Sequence, residues 1–291
     1  MNKLLLALSL FCCSFAGTAS EILVQAVQAP AWVQRGTHNT PLSVGMVLNN
    51  HDLLTTGKNS RILLRAADGS LIKLGENASV TIDGLVSADK QTSLFTALLN
   101  VAKGAFRFTT SGLAKLRARD VTVKVAGATI GIRGTDVWGK DGKDDSGTEM
   151  GVVCLIEGKI SVTGADQQAF VMDQPLTFYK MPKNSIPLPV TAVDPQQLKR
   201  WATETEIAQP AAQLGGKWKI NLMTLGNEAD ALLLYDQWRE AGYDVRLLPV
   251  ESQGGWAYTL RLTQFASRDQ AERLAAQLGG FLGAANPHVS R

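Results

Sequence analysis

From Glu21 to Phe178 apolar residues recur at every second position in short runs broken by turn residues, and that period restricts the stretch to strands. VTVKV at 121–125 sets Val121, Val123 and Val125 against Thr122 and Lys124, the alternation of a half-buried strand. ILLRAADGSLIKLG at 62–75 places Asp68 and Gly69 between two apolar runs; glycine accepts positive φ, so the pair predicts a hairpin closed by a type I′ turn. A second Asp-Gly pair, Asp141 and Gly142, lies in the polar segment GKDGKDDSGTE, read as a solvated hairpin because its acidic residues miss the spacing of a calcium loop. TSLFTALLNVAKG at 92–104 fits either a helix or a strand. Residues 21–175 therefore read as one all-β domain of many short strands, with Cys154 in GVVCLI as a small buried apolar residue.

Six of the ten prolines fall between Pro175 and Pro210, and PKNSIPLPV cannot continue a sheet because proline lacks the ladder donor. Residues 176–215 are expected to be a Pro-rich linker. Within it Asp194 and Pro195 predict the start of a short helix, with Trp201 as the side chain that anchors it.

After Gly215 and Gly216 the pattern changes. WKINLMTL is a strand. NEADALLLYDQWREAG is a helix capped by Asn227, with Ala231, Leu234, Tyr235 and Trp238 on one stripe and Gly242 as its stop. YDVRLLPV and GGWAYTLRLTQF give two further strands. ASRDQAERLAAQLGG begins with Ser267 and Gln270 at capping-box spacing and buries Ala271, Leu274, Ala275 and Leu278. A last strand within 281–291 completes βαββαβ, a ferredoxin- or RNP-like order in which both helices cover one sheet face and leave the other open. The expected fold class is multidomain: the all-β domain, then this small α+β domain over 216–291.

Residues 1–20 stand apart, with Lys3, an apolar run from Leu4 to Ala16 and small residues before Glu21, the order of a secretory signal peptide. Lipidation is not expected, since Phe11 precedes Cys12 where a small residue is normal. Later segments lack the roughly 20 apolar residues of a spanning helix, so the expected location is the periplasm, with no integral membrane span. The formal charge of +3, from 29 basic and 26 acidic residues without blocks, argues against a nucleic-acid partner.

The C-terminal pattern resembles the SPOR (sporulation-related repeat) family, carried by WKINLMTL and by Tyr258, Phe265, Ser267, Arg268 and Ala271 of YTLRLTQFASRDQA. The chain departs from that family at Thr259, where Arg is usual, and at Thr263 and Gln264, where Gly-Pro is usual. The resemblance implies binding of peptidoglycan glycan strands stripped of their stem peptides. Alternation sets Lys219, Asn221, Thr259 and Arg261 on the uncovered face, and Thr224 holds the family's Ser position. Amides and hydroxyls suit sugar hydroxyl and N-acetyl groups, and a basic group suits the lactyl carboxylate freed when the peptide is removed. Trp256 reads in two ways, as a ring for a sugar's C–H face or as an aromatic under a turn, and its parity follows core-facing Tyr258. Lys219, Asn221, Thr224, Trp256, Thr259 and Arg261 are the candidate glycan-binding residues.

The N-terminal domain is similar to the FecR family over about residues 25–170, carried by the run from Gly45 through Asp52, Thr56, Gly57 and Ser60 to Asp68, Gly69 and Ser70, and by KGAFRF, GIRGTDV and EGKISV. The resemblance implies a periplasmic β domain; the sigma-factor relay of its best-known members does not carry over to a chain with no cytoplasmic segment. Arg133, Gly134 and Thr135 are read as a tight turn with the arginine bonding nearby carbonyls. His38, His51 and His288 lack partnering motifs, and no nucleophile elbow, metal spacing or phosphate loop is present. The expectation is a non-enzymatic envelope protein without metal or cofactor, holding glycan strands through its C-terminal domain while the β domain binds or scaffolds an unidentified envelope protein. The alternative is a periplasmic regulator whose β domain senses a partner, with the wall domain as tether only.

Overall fold

The computed structural model describes residues 21–85, 95–112, 114–116, 119–144, 146–183, 185–252 and 254–291. The expected signal segment, with Cys12 and Cys13, lies outside them.

The first strands are β1 (Ile22–Gln28), β2 (Ala31–Arg35), β3 (His38–Pro41), β4 (Val47–Leu48), β5 (Asp52–Thr56) and β6 (Arg61–Ala66). There follow β7 (Leu71–Leu74), β8 (Ser79–Asp83), β9 (Phe95–Thr109), β10 (Arg119–Val125), β11 (Ala128–Ile132) and β12 (Asp136–Lys143). The domain ends with β13 (Glu149–Glu157), β14 (Ile160–Thr163), β15 (Ala169–Met172), β16 (Thr177–Pro182) and β17 (Thr191–Ala192). One sheet runs β1–β6–β7–β9–β12–β13–β16–β17, the other β3–β2–β5–β8–β9–β10–β11–β14–β15. The long β9 belongs to both, its first half pairing with β8 and its second with β7 and β12. A single core draws on both sheets, with Ile62, Leu64, Phe106 and Phe108 facing Val123, Ile130 and Val162, all shielded from water. That is the all-β class, and the ambiguous stretch at 92–104 resolves, from Phe95 onward, as strand.

Three local expectations are corrected. The β6–β7 turn is not type I′: Gly69 has φ of +81° while Asp68 does not have positive φ, Gly69 N–H bonds the Ala66 carbonyl at 2.8 Å, and Ala66 N–H bonds the Ser70 carbonyl at 2.9 Å. One left-handed glycine closing a longer loop replaces the two positive-φ residues of a two-residue turn. Asp141 and Gly142 lie inside β12, paired with Gly151 and Met150, and the hairpin turns later, around Asp144, whose carboxylate accepts from Ser146 N and Thr148 N at 2.9 and 3.0 Å. Arg133 is exposed and bonds no carbonyl among the described residues.

Strand pairing also continues past residue 175, through Pro182, so the sheet extends into the stretch read as linker. Helix α1 (Pro195–Thr205) begins where expected, Asp194 accepting from Gln196 N and Gln197 N at 2.9 and 3.1 Å. It lies on the outer face of the first sheet. Trp201 stacks on Trp138 with centroids 4.8 Å apart and planes 7° apart, and meets Phe178 edge-on at 5.4 Å. Beyond its end, Glu206 accepts from Lys73 at 2.6 Å and Arg107 at 3.3 Å, while Arg107 forks onto Asp136 at 2.9 and 2.7 Å.

After β18 (Ala212–Gln213) the C-terminal unit consists of β19 (Trp218–Leu225), α2 (Glu228–Glu240), β20 (Arg246–Ser252), β21 (Gly255–Phe265), α3 (Arg268–Leu278) and β22 (His288–Ser290). Sheet order is β22–β19–β21–β20, all antiparallel. This is the βαββαβ arrangement. Ile220, Leu222, Leu260 and Leu262 pack beneath Ala231 and Trp238 of α2 and Ala271, Ala275 and Leu278 of α3; each large side chain so buried is worth about 1.5–3 kcal/mol. Asn227 caps α2, accepting from Ala229 N at 2.8 Å. Ser267 caps α3 through Gln270 N at 3.2 Å, but Gln270 Oε1 has no partner among the described residues, so only half of the capping box forms.

The two domains are joined by main chain. β18 pairs with β1 and touches β21 at Phe265, the Ala31 N–H donates to the Gly242 carbonyl at 3.2 Å, and Trp32 Nε1 donates to the Glu240 carbonyl at 3.0 Å. Gly242 combines φ of +84° with contact so close that a Cβ would lie 2.7 Å from the Trp32 ring. These contacts meet the C-terminal unit at the end of α2 and along one strand end, on its helix side. No helix among the described residues is long and apolar enough to cross a membrane.

Candidate functional site

Strand alternation divides β19 into buried Ile220 and Leu222 and outward Lys219 and Asn221. Unbroken alternation would place Met223 outward and bury Thr224. A bulge between Asn221 and Met223 shifts the phase by one, so Thr224 stands opposite Thr259 and shares the open face. The face has three cross-strand rows. Ser290 and Lys219 form the first, His288, Asn221, Arg261 and Arg246 the second, and Thr224, Thr259 and Leu248 the third.

The middle row is bonded from His288 to Arg261. Asn221 Oδ1 accepts from Arg261 Nε at 2.6 Å, and Asn221 Nδ2 lies 3.1 Å from His288 Nε2 and 3.2 Å from Ser290 Oγ. With its oxygen committed to a guanidinium, the amide nitrogen must donate, which makes His288 Nε2 an acceptor. Thr224 and Thr259 hydroxyls meet at 2.8 Å, and Lys219 Nζ donates to the Arg291 carbonyl at 3.2 Å. Asn221 and Thr259 are each only 6 % exposed, held by their neighbours in the face. They set positions; Arg261, Arg246 and Thr224 supply what a ligand could reach.

Two cations oppose each other in this row. Arg246 and Arg261 are direct cross-strand partners, an arrangement that like charges disfavour. Arg246 has Asp244 at 3.5 Å, whereas Arg261 has no carboxylate partner among the described residues and donates within the protein only through Nε. Its terminal amino groups are thus available to an incoming anion, with the planar fork that suits a carboxylate.

Five of the six candidate residues come together here: Lys219, Asn221, Thr224, Thr259 and Arg261. Trp256 does not. It pairs with Glu251 at the far end of the β20–β21 ribbon, keeps the parity of Tyr258 and is 59 % exposed beyond the helices. Sequence reading missed Arg246, Leu248, His288 and Ser290. The alternation of YDVRLLPV carried a signal for the first two; the last strand was too short to carry one.

A FecR protein family model matches residues 52–161, and a SPOR domain model matches residues 214–287. Two crystal structures of a candidate anti-sigma factor from Parabacteroides distasonis ATCC 8503, at 2.50 and 1.65 Å resolution, are similar at 13 % and 14 % identity. They cover 78 % of this chain and 89 % and 90 % of that one, with TM-scores of 0.40. No curated protein matches. The SPOR pattern's Gly-Pro falls at Thr263 and Gln264, and Gln264 has φ of +70°, which proline cannot adopt. Both positions lie within β21 near its C-terminal end, where they line a pocket with Val27, Val44 and Pro210, away from the bonded row.

Proposed function

We propose that this chain, which joins a FecR domain to a SPOR domain, is a non-catalytic periplasmic protein that binds peptidoglycan and holds glycan strands stripped of their stem peptides on the open face of its C-terminal sheet. The observation that carries this reading is the row His288–Asn221–Arg261–Arg246, bonded as far as Arg261, whose guanidinium has no carboxylate partner among the described residues and lies on a face turned away from both helices. The Thr224 hydroxyl, fixed in advance against Thr259, binds a sugar hydroxyl at little further ordering cost. The Arg261 fork recognises the lactyl carboxylate that appears only after the stem peptide has been cut away. One exposed charge pair is worth about 1 kcal/mol or less, so retention along a glycan strand rests on repeated weak contacts.

The test is co-sedimentation of the full chain with wall sacculi before and after amidase digestion. Pelleting should rise after digestion and fall severalfold for Arg261→Gln. The FecR domain favours a second reading, a regulator in which the β domain binds a partner protein. Pelleting that Arg261→Gln leaves intact, but that changes at the β-domain surface abolish, would select that reading over ours.

A further inference from the structure

We propose that the cleft between α1 and the outer face of the β12–β13–β16 sheet binds a small carboxylate-bearing ligand. Register places Lys140, Val152 and Lys180 in one row across three strands, beside the row of Trp138, Cys154 and Phe178. From above, α1 presents Gln197, Trp201 and Glu204 at i, i+4 and i+7, so they share one face. The space enclosed is about 230 Å³. A single water needs only about 10–15 Å³ on this measure, so there is room for a ligand the size of an amino acid.

Its charges are unevenly met. Among the described residues the two carboxylates in its wall are engaged: Glu204 with Lys140 at 2.9 Å, and Asp144 with Ser146 N, Ser146 Oγ and Thr148 N at 2.9, 2.6 and 3.0 Å. Lys143 reaches Glu149 only at 3.9 Å. Lys180 has no carboxylate in pairing range among the described residues and lies 5.3 Å from the Phe178 ring centroid. Trp138, wholly buried beneath Trp201, and Trp201 itself give the cleft an aromatic wall, so their indole signals report on what enters it.

A carboxylate suits this cleft through Lys180. It can pair directly with Lys180, which Asp144 influences only from beyond pairing range, and Val152 and Met150 give an aliphatic stem an apolar strip to lie on. Sulfate has no use for that strip, and an amide has no charge for the lysine. The site lies on the FecR-like side of the molecule and is independent of the glycan face, so it stands or falls by its own test.

The uniformly ¹⁵N-labelled full chain is titrated with glutarate, and the indole N–H signals are followed, those of Trp138 and Trp201 being assigned with Trp→Phe variants. Glutarate should shift at least one of the two saturably. Glutaramide and sulfate should not. Lys180→Met should raise the half-saturating concentration at least tenfold, and Lys180→Gln should do the same if the methionine variant folds poorly. Lys183→Met should leave the titration unchanged, because Lys183 is already held by Asp141 and Glu149 at 3.2 and 3.3 Å. Unmoved indole signals, an equal response to glutaramide or sulfate, or parental titration by the folded Lys180 variants would overturn the proposal.

Discussion

Gly242 and Gly215 share a backbone conformation, both with φ of +84°, but not a surrounding. Around Gly215 nothing lies within 4 Å of the position a Cβ would take; at Gly242 that atom would meet the Trp32 ring at 2.7 Å and Pro30 Cβ at 2.8 Å. Alanine in the left-handed region costs about 1–2 kcal/mol at either site. Only at Gly242 is there overpacking as well, typically about 1–3 kcal/mol. Displacing Trp32 also strains the bonds from Trp32 Nε1 to the Glu240 carbonyl and from Ala31 N–H to the Gly242 carbonyl. Gly242→Ala should therefore lose about 2–5 kcal/mol and Gly215→Ala about 1–2 kcal/mol. Urea unfolding followed by tryptophan fluorescence measures the difference, and limited proteolysis between the domains shows where it acts, with faster cleavage expected for Gly242→Ala alone. Equal losses for the two variants would refute the claim that the domains are fixed by close approach at this glycine.

Burial pushes the Cys154 thiol up to about 12 from 9.0, so the folded chain keeps a proton that the unfolded chain gives up in alkali. Its contribution is fully present below about pH 9 and falls by about 1.4 kcal/mol per pH unit toward pH 12; stability measured against pH should show that extra slope in the parent and not in Cys154→Ala. Asp136→Ala removes the forked partner of Arg107, which keeps Glu206 at 3.3 Å, and should cost about 1.5–3 kcal/mol by urea unfolding. Asn227→Ala, which removes the cap of an exposed helix start, should cost only about 1 kcal/mol.

What the sequence made legible was whatever is decided within a few residues. Asp194, Asn227 and Ser267 cap their helices because a cap bonds amides two or three positions away, and the alternation of Ile220, Leu222, Leu260 and Leu262 follows from a period of two. What escaped was set by partners far along the chain. Asp141 and Gly142 have turn chemistry but are held in β12 by the ladder to Gly151 and Met150. Thr224 reaches the open face only through a bulge defined against β21, and Arg246 and His288 join Asn221 only through register with strands remote in sequence. Trp256 illustrates the opposite case. Its parity with Tyr258 already pointed away from the face, and the ribbon keeps that parity.

The most direct test of the central claim is a ¹H–¹⁵N titration of the full chain with a glycan oligosaccharide lacking stem peptides. The account predicts shifts confined to the bonded rows, at the Asn221 side-chain amide, the Arg261 Nε–H and the backbone of Thr259 and Arg246. Shifts confined to α2, α3 or the N-terminal domain, with those groups unmoved, would contradict it.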